Sequence, residues 1–570
     1  MEIFMKNRFA AIVFFALALL FTGTVGASPA SGMTSPKLRK ESVILYTGWK
    51  DYEIFIDDLP EDSAVTYKSN KKKIASVDDN GIVHPLSEGI AIIKIVITPE
   101  SGSKTTLKLK VTVKEPYFKV TDSTDIITSR GSYLFKVKRY GSDDEVTWSL
   151  NGSQYASITA VSATDCLIEG KAPGGVTLTV SCLGREESFD ILVYEGSGAA
   201  FLIKPGKKPY EGYYTDRPDY NRYTKDYYMI RSYLERLATL GGGLLVLSKG
   251  TYEITNTLCI PSNTTILLED QATIVKTDYT GDQYLEATMS LFQTVAYNHT
   301  QTKFTGYNGE HDISIIGEGR ATIDLDFVKC TAVVAAHCSN LVIRGISFEN
   351  LNSAHFIELD ASKDVVITGN VFTDCAISPT MRKEAINLDT PDEETKGFIQ
   401  GWTSYDKTPD KNVSITDNVF YNLETAIGTH KYSEGSYHEN ILISRNTFVN
   451  VTSYVIRMMN WKDCEISDNY FSLTEEYTDP VNAVILNGAI NPTVTGNRFV
   501  NFETAITCAH WKNTGNGSNY AETYNELSRA NLKDMRKNEA VDCVNNYFEV
   551  YTEYGDTSDD YRETYTFTGI

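Results

Sequence analysis

Apolar and polar positions alternate in one repeated phrase through about the last 230 residues of the chain. It reads Leu341-Val-Ile-Arg-Gly-Ile-Ser-Phe348, then Val365-Val-Ile-Thr-Gly-Asn-Val-Phe372, then Val413-Ser-Ile-Thr-Asp-Asn-Val-Phe420. The phrase returns at Ile441–Phe448, Glu465–Phe471 and Thr493–Phe499, with a weaker seventh copy ending at Asn546-Tyr-Phe548. Five copies place Asn two positions before Phe, at Asn370, Asn418, Asn446, Asn469 and Asn497. Their intervals run from 23 to 28 residues, except one of 48 where a loop has been inserted. Short β-branched strands broken by Gly and Asn at this period predict a solenoid, because one coil cannot bury its own apolar face. Coils stacked at strand spacing, about 4.8 Å, would align the Asn residues as a ladder at a turn and the Phe residues as an internal stack.

Upstream the pattern changes twice. Residues 38–115 alternate strongly with turn signals every eight to twelve residues, which predicts a small β-sandwich. Residues 117–195 give a second, degenerate copy, as in Val146-Thr-Trp-Ser149 and Gly174-Gly-Val-Thr-Leu-Thr-Val180. Residues 196–226, rich in Gly, Lys, Pro and Tyr, read as a linker. Tyr227–Leu240 then carries apolar residues at helical spacing (Ile230, Tyr233, Leu234, Leu237) and stops at Gly241-Gly-Gly243. The solenoid is expected over 227–550 and a tail over 551–570.

Two resemblances attach to these segments. Val65-Thr-Tyr-Lys-Ser-Asn70, Ile74-Ala-Ser-Val-Asp-Asp-Asn-Gly81 and Gly89-Ile-Ala-Ile-Ile-Lys-Ile95 resemble the bacterial Ig-like group 2 domain, which implies a spacer or surface module. The helix, glycine run and strand Leu244–Ile254 with its Gly-Thr-Tyr resemble the entry of the pectate-lyase-like β-helix superfamily. Together they imply an all-β chain: two Ig-like β-sandwiches, then a right-handed parallel β-helix capped by a short N-terminal helix. The superfamily's chemistry is diverse, so the fold fixes no function.

Composition narrows the class. Residues 1–27 combine Lys6 and Arg8, an apolar run from Phe9 to Phe21 and small residues before Ala27, as in a signal peptide. That run is short for a membrane span, so an exported, secreted or surface-associated protein without membrane insertion is expected. The nine cysteines are scattered singly, which argues against a metal site of close Cys pairs or a disulfide framework. A net charge of −21 disfavours nucleic acid as a partner. A neutral carbohydrate is the expected partner.

The candidate chemistry lies on the strands that follow each Phe. Aligned on apolar positions, they read Phe356-Ile-Glu-Leu-Asp360, Ala385-Ile-Asn-Leu-Asp389, Ala426-Ile-Gly-Thr-His430 and Val455-Ile-Arg-Met-Met459. Alternation sends Ile and Leu inward and leaves two outward columns. One holds Glu358, Asn387, Gly428 and Arg457; the other holds Asp360, Asp389, His430 and Met459. Carboxylates about 5 Å apart raise one another's pKa, and a protonated acid beside an ionised one is what glycoside hydrolysis requires. Asp389 is expected as nucleophile or base and Asp360 or the loop residue Asp392 as acid, with His430 and Arg457 orienting the substrate. Lys431 lies beside them. The loop from Thr390 to Lys411 carries Asp392, Trp402, Tyr405 and Asp406, while Tyr432, Asn460 and Trp461 follow the next strands. Aromatic faces and amides of this kind would line a sugar groove.

Asn387-Leu-Asp389 resembles the N-x-D motif of the polygalacturonase family, although Gly428-Thr-His430 departs from its G-H-G and Arg457-Met-Met459 lacks its lysine. Glu384–Asp389, Ala426–His430 and Met459-Asn-Trp461 resemble the β-helix lacto-N-biosidases, whose resemblance implies paired aspartates acting by retention. A secreted glycoside hydrolase without cofactor is the leading expectation. One alternative is a polysaccharide lyase, with Ca²⁺ held by Glu358, Asp360 and Asp389 and a base from Arg457, Lys431 or His430. Few basic residues are expected in its groove, which weighs against it. The other is a glycan-binding surface adhesin without chemistry.

Overall fold

Each short strand of the long domain pairs in parallel with its counterpart one coil later, and this rule generates one continuous 29-stranded sheet. The protein is described by a computed structural model over residues 35–377, 383–474, 481–511, 523–553 and 561–569. The leader expected at 1–27 lies outside the described residues. A typical coil supplies three strands, such as Ser339–Arg344, Ser347–Leu351 and Ile357–Asp360, and their partners begin at Lys363, Val371 and Glu384. The domain is a parallel β-helix.

The repeated Asn and Phe do what their spacing predicts. Each ladder Asn accepts the backbone N–H of the preceding rung on Oδ1, as Asn446 does from Asn418 at 2.9 Å. Its Nδ2 donates to a strand carbonyl and to the next Asn: Asn446 reaches Ile415 O at 2.8 Å and Asn469 Oδ1 at 3.0 Å. The phenyl rings of Phe372, Phe420, Phe448, Phe471 and Phe499 stack at centroid distances of 4.6–4.8 Å. The ladder has a further rung at Asn538, which accepts from Asn497 Nδ2 at 2.9 Å. The seventh copy at Asn546–Phe548 is therefore not that rung: Ala540 takes the place opposite Phe499, and Phe548 stacks on Tyr565 instead.

The solenoid begins earlier than its repeats suggest. Ala199–Ile203, inside the stretch read as a linker, pairs in parallel with Gly243–Leu247. Helix Lys225–Leu240 closes that end, burying Met229, Ile230, Leu234 and Leu237 against the first coils. Its stop is enforced by Gly241 at φ 81° and by Gly242, where a Cβ would meet Asn263 O at 2.3 Å. At the other end Arg562–Thr566, within the stretch read as a tail, pairs antiparallel with Tyr547–Tyr551 and breaks the parallel edge.

The chain divides into two compact units. Residues up to 118, with 139–144, form the first; 119–138 and 145–570 form the second. In the first, a four-stranded and a three-stranded sheet enclose a core containing Ala75, Val83, Ile93, Ile95 and Val111. The second unit contains another pair of four-stranded sheets together with the β-helix; Ile126 of those sheets packs with Leu244, Val246 and Leu267 of the first coils.

Candidate active site

Five strands of successive coils build one face, here β1 (Thr331–Ala336), β2 (Ile357–Asp360), β3 (Glu384–Asp389), β4 (Val419–Gly428) and β5 (Thr447–Lys462). The two outward columns are in register. Glu358 pairs with Asn387, Asn387 with Gly428, Gly428 with Arg457, and Asp360 with Asp389. Beyond β4 the chain leaves the sheet, so two consecutive N–H groups converge on Asp389 Oδ1, from His430 at 3.1 Å and Lys431 at 2.9 Å. Asp389 Oδ2 is buried without a protein hydrogen bond, 3.6 Å from His430 Nδ1. Asn387 lies against the same imidazole, with Oδ1 3.0 Å from Nδ1.

These groups open into a cleft of about 610 Å³, whose lining includes Glu358, Asp389, His430 and Lys431. Met289, Gln293 and Thr331 of earlier coils line it too, and Lys396, Ile399 and Gln400 of the inserted loop supply another wall. Burial, reinforced by the Asp389 charge, pushes the Glu358 carboxyl up to about 7. Asp360, two residues on, is completely buried with neither carboxylate oxygen hydrogen-bonded. Its burial, then Glu358, Asp389 and Asp410, drive its pKa far above the usual carboxylate range. Asp410, at the end of the inserted loop, is raised by burial as well, while His438 opposes the shift.

No family model matches the chain. It is 25% identical over 257 residues to the plasmin and fibronectin-binding protein A of Streptococcus pneumoniae, a match over 41% of this chain and 35% of that protein. The chain thus spans about a third of that relative's length. Among solved structures, the surface adhesin PfbA of Streptococcus pneumoniae overlaps at a TM-score of 0.40 and 18% identity, over 59% of this chain and 94% of that one. A proposed glycosyl hydrolase from Parabacteroides merdae overlaps at 0.24 and 15%, over 35% and 80%. Neither likeness assigns an activity to this chain.

Several residues expected to face sugar serve the scaffold. Asp360 is fully buried and absent from the cleft lining, and two residues on the Ser362 N–H donates to Asp410 Oδ1 at 2.7 Å, tying the end of the inserted loop beside it. Asp392 is buried and braces the loop, accepting from Ser433 Oγ at 2.6 Å and from the Glu394 N–H at 2.9 Å. Trp402 packs edge-on against Phe398 and donates from Nε1 to Gln293 Oε1 at 3.2 Å. Tyr405 sits at φ 56°, its N–H bonded to Thr403 Oγ1, away from the cleft lining. Asp406 accepts the Gly306 N–H at 2.6 Å and so ties two loops together. Tyr432 is buried with Met459. Asn460, at φ 60° within β5, donates to Ser433 O and Ser436 O. Trp461 points into the core and donates to Thr429 Oγ1 at 2.8 Å. Arg457 does face outward, but it reaches away from the cleft to Asn487 Oδ1 at 3.1 Å and lies 4.4 Å over the Trp511 ring.

Other residues enter the site unannounced. His355 lines the cleft with its ring centroid 5.5 Å from that of His430. Glu384 opens β3 and is buried beside both imidazoles, 3.6 Å from His430 Nδ1 and 3.9 Å from His355 Nδ1. The glycine in the outward column answers mainly to Arg457: a Cβ on Gly428 would stand 3.1 Å from Arg457 Cβ, against an ordinary 3.5 Å from Glu384 Cγ, so the repeat carried no signal for Glu384. Lys329, Lys396 and Lys431 also surround the cleft, so it is more basic than its strands alone suggest.

Proposed function

We propose that this is an extracellular surface protein whose β-helix binds a glycan in the cleft and hydrolyses a glycosidic bond there. The observation that carries the reading is the pair of dissimilar carboxyl groups on the cleft floor. Glu358 keeps its proton toward neutrality, while Asp389 offers one oxygen pinned by two N–H donors and one bare oxygen. Glu358 then gives its proton to the glycosidic oxygen as the C–O bond breaks. Asp389 either attacks the anomeric carbon itself, its carboxylate pair forming the new C–O bond, or takes a proton from a water whose oxygen forms that bond. His430 and Lys431, which hold Asp389 through their backbones, present their side chains to the same cleft. Lysines around its rim suit a sugar bearing an acidic substituent. The leader-like residues 1–27 support placement outside the cell.

The curated relative favours a second reading, an adhesin that holds a host protein or glycan without chemistry. Host oligosaccharides, pectins and plant glycans should be offered to the secreted chain and to its Asp389→Asn and Glu358→Gln variants. New reducing ends that disappear in both variants support hydrolysis. An unsaturated, ultraviolet-absorbing product establishes a lyase. Binding to glycan, plasmin or fibronectin that survives both substitutions, with no product from any of the three proteins, leaves the adhesin.

A further inference from the structure

We infer that His355, Glu384 and His430 form a binding site for one divalent transition-metal ion at the floor of the cleft. The three residues come from successive coils: His355 precedes β2, Glu384 opens β3 and His430 follows β4. One potential ligand atom from each lies within 4.8 Å of those of the other two. In a bound site such atoms stand roughly 3–3.5 Å apart around the ion, a closure that side-chain torsions can supply.

The surroundings already hold the rings as a metal site requires. His355 Nδ1 is 2.7 Å from the Glu384 backbone carbonyl, and His430 Nδ1 is 3.0 Å from Asn387 Oδ1. A carbonyl behind Nδ1 fixes the tautomer and leaves Nε2 as the bare donor. The Glu384 carboxylate stands on the Nδ1 side of both rings, at 3.6 and 3.9 Å, so it must turn toward the Nε2 edge to join them around an ion. Both residues line the cleft. A second observation points the same way. Asp389 Oδ2 is buried, has no hydrogen bond and lies 3.6 Å from His430 Nδ1, a spare anionic oxygen beside the trio. Glu384 and Asp389 thus bring two carboxyl groups within 3.6 Å of one imidazole, where a dication would be held by opposite charge.

Two imidazoles and a carboxylate select zinc, manganese or ferrous iron over calcium or magnesium, which prefer all-oxygen shells. The remaining coordination position would open into the cleft. The inference goes beyond glycosidic cleavage and does not depend on it, because metal binding is read directly.

The test uses the chelator-stripped full chain and calorimetric titration with Zn²⁺ and Mn²⁺, with Ca²⁺ for comparison. We expect one Zn²⁺ per chain, bound at least about 100-fold more weakly by His355→Gln, Glu384→Gln and His430→Gln, on the scale by which ligand shells tune affinity. Zn²⁺ should also raise the unfolding temperature of the wild type and not of the variants. No saturable Zn²⁺ binding by the wild type, or equal binding by all three variants, overturns the site. Should a variant fail to fold, X-ray absorption of the Co²⁺-loaded wild type decides. Two imidazoles and a carboxylate around the metal support the site, and an all-oxygen shell overturns it.

Discussion

Glu358 and Asp360 stand two residues apart on one strand, face the same way and meet different fates. Glu358 reaches the cleft; Asp360 is fully buried and absent from its lining. The register that brings Asp360 level with Asp389 was legible in the sequence, because Ile and Leu mark the inward positions. The burial of Asp360 was not, since a loop's path depends on contacts such as Asp410 with Ser362 that no periodicity encodes. A carboxyl whose folded pKa is raised contributes stability fully present below its unfolded value, near about 4, and lost as pH climbs through the folded value. Asp360→Asn should therefore unfold at a higher temperature than wild type at pH 8, by a few degrees for about 1–2 kcal/mol, with the gap closing toward pH 4. Thermal scans across that range check it, and a gap independent of pH would count against it. Glu358 gives the complementary expectation. In the proposed role of general acid it must be protonated, so kcat should fall as pH rises through about 7. Glu358→Gln should lower kcat by about 10²–10⁴.

At the scale of the element, the repeats foretold the ladder but not the parity of every side chain. Asn460 at φ 60° resets the alternation of β5, which is why Trp461 turns inward four residues after the outward Arg457. Ala199–Ile203 is a strand only by pairing with Gly243–Leu247 and carries no copy of the repeat, so its sequence reads as a linker. The ladder itself should be sensitive. Asn446→Ala leaves the Asn418 N–H and the Ile415 carbonyl without their buried partners, at a cost of about 2–4 kcal/mol. Asn446→Asp should recover part of that loss, since its oxygen still accepts. Chemical denaturation of both variants distinguishes a hydrogen-bonding role from one of volume alone.

For the whole molecule, stacked coils share one core while the first sandwich keeps its own. Calorimetry should therefore resolve two transitions. Phe420→Ala, which opens the middle of the ring stack, should lower the larger by about 3–5 kcal/mol and leave the smaller unmoved. Movement of both would mean that the two cores unfold as one. Among the described residues no helix is long and apolar enough to cross a membrane.

The 48-residue interval between Asn370 and Asn418 holds a last consequence. Despite the inserted loop, Asn370 N donates to Asn418 Oδ1 at 2.9 Å, the same distance as between Asn418 and Asn446, only 28 residues apart. The spine does not register how much chain lies between its rungs. That loop supplies a wall of the cleft while the carboxylates belong to the coils. Under the proposed function, specificity and chemistry would thus be written on separable pieces of chain. A lineage could exchange the segment between Thr390 and Asp410 like a cassette and meet a new ligand, with the folding problem already solved.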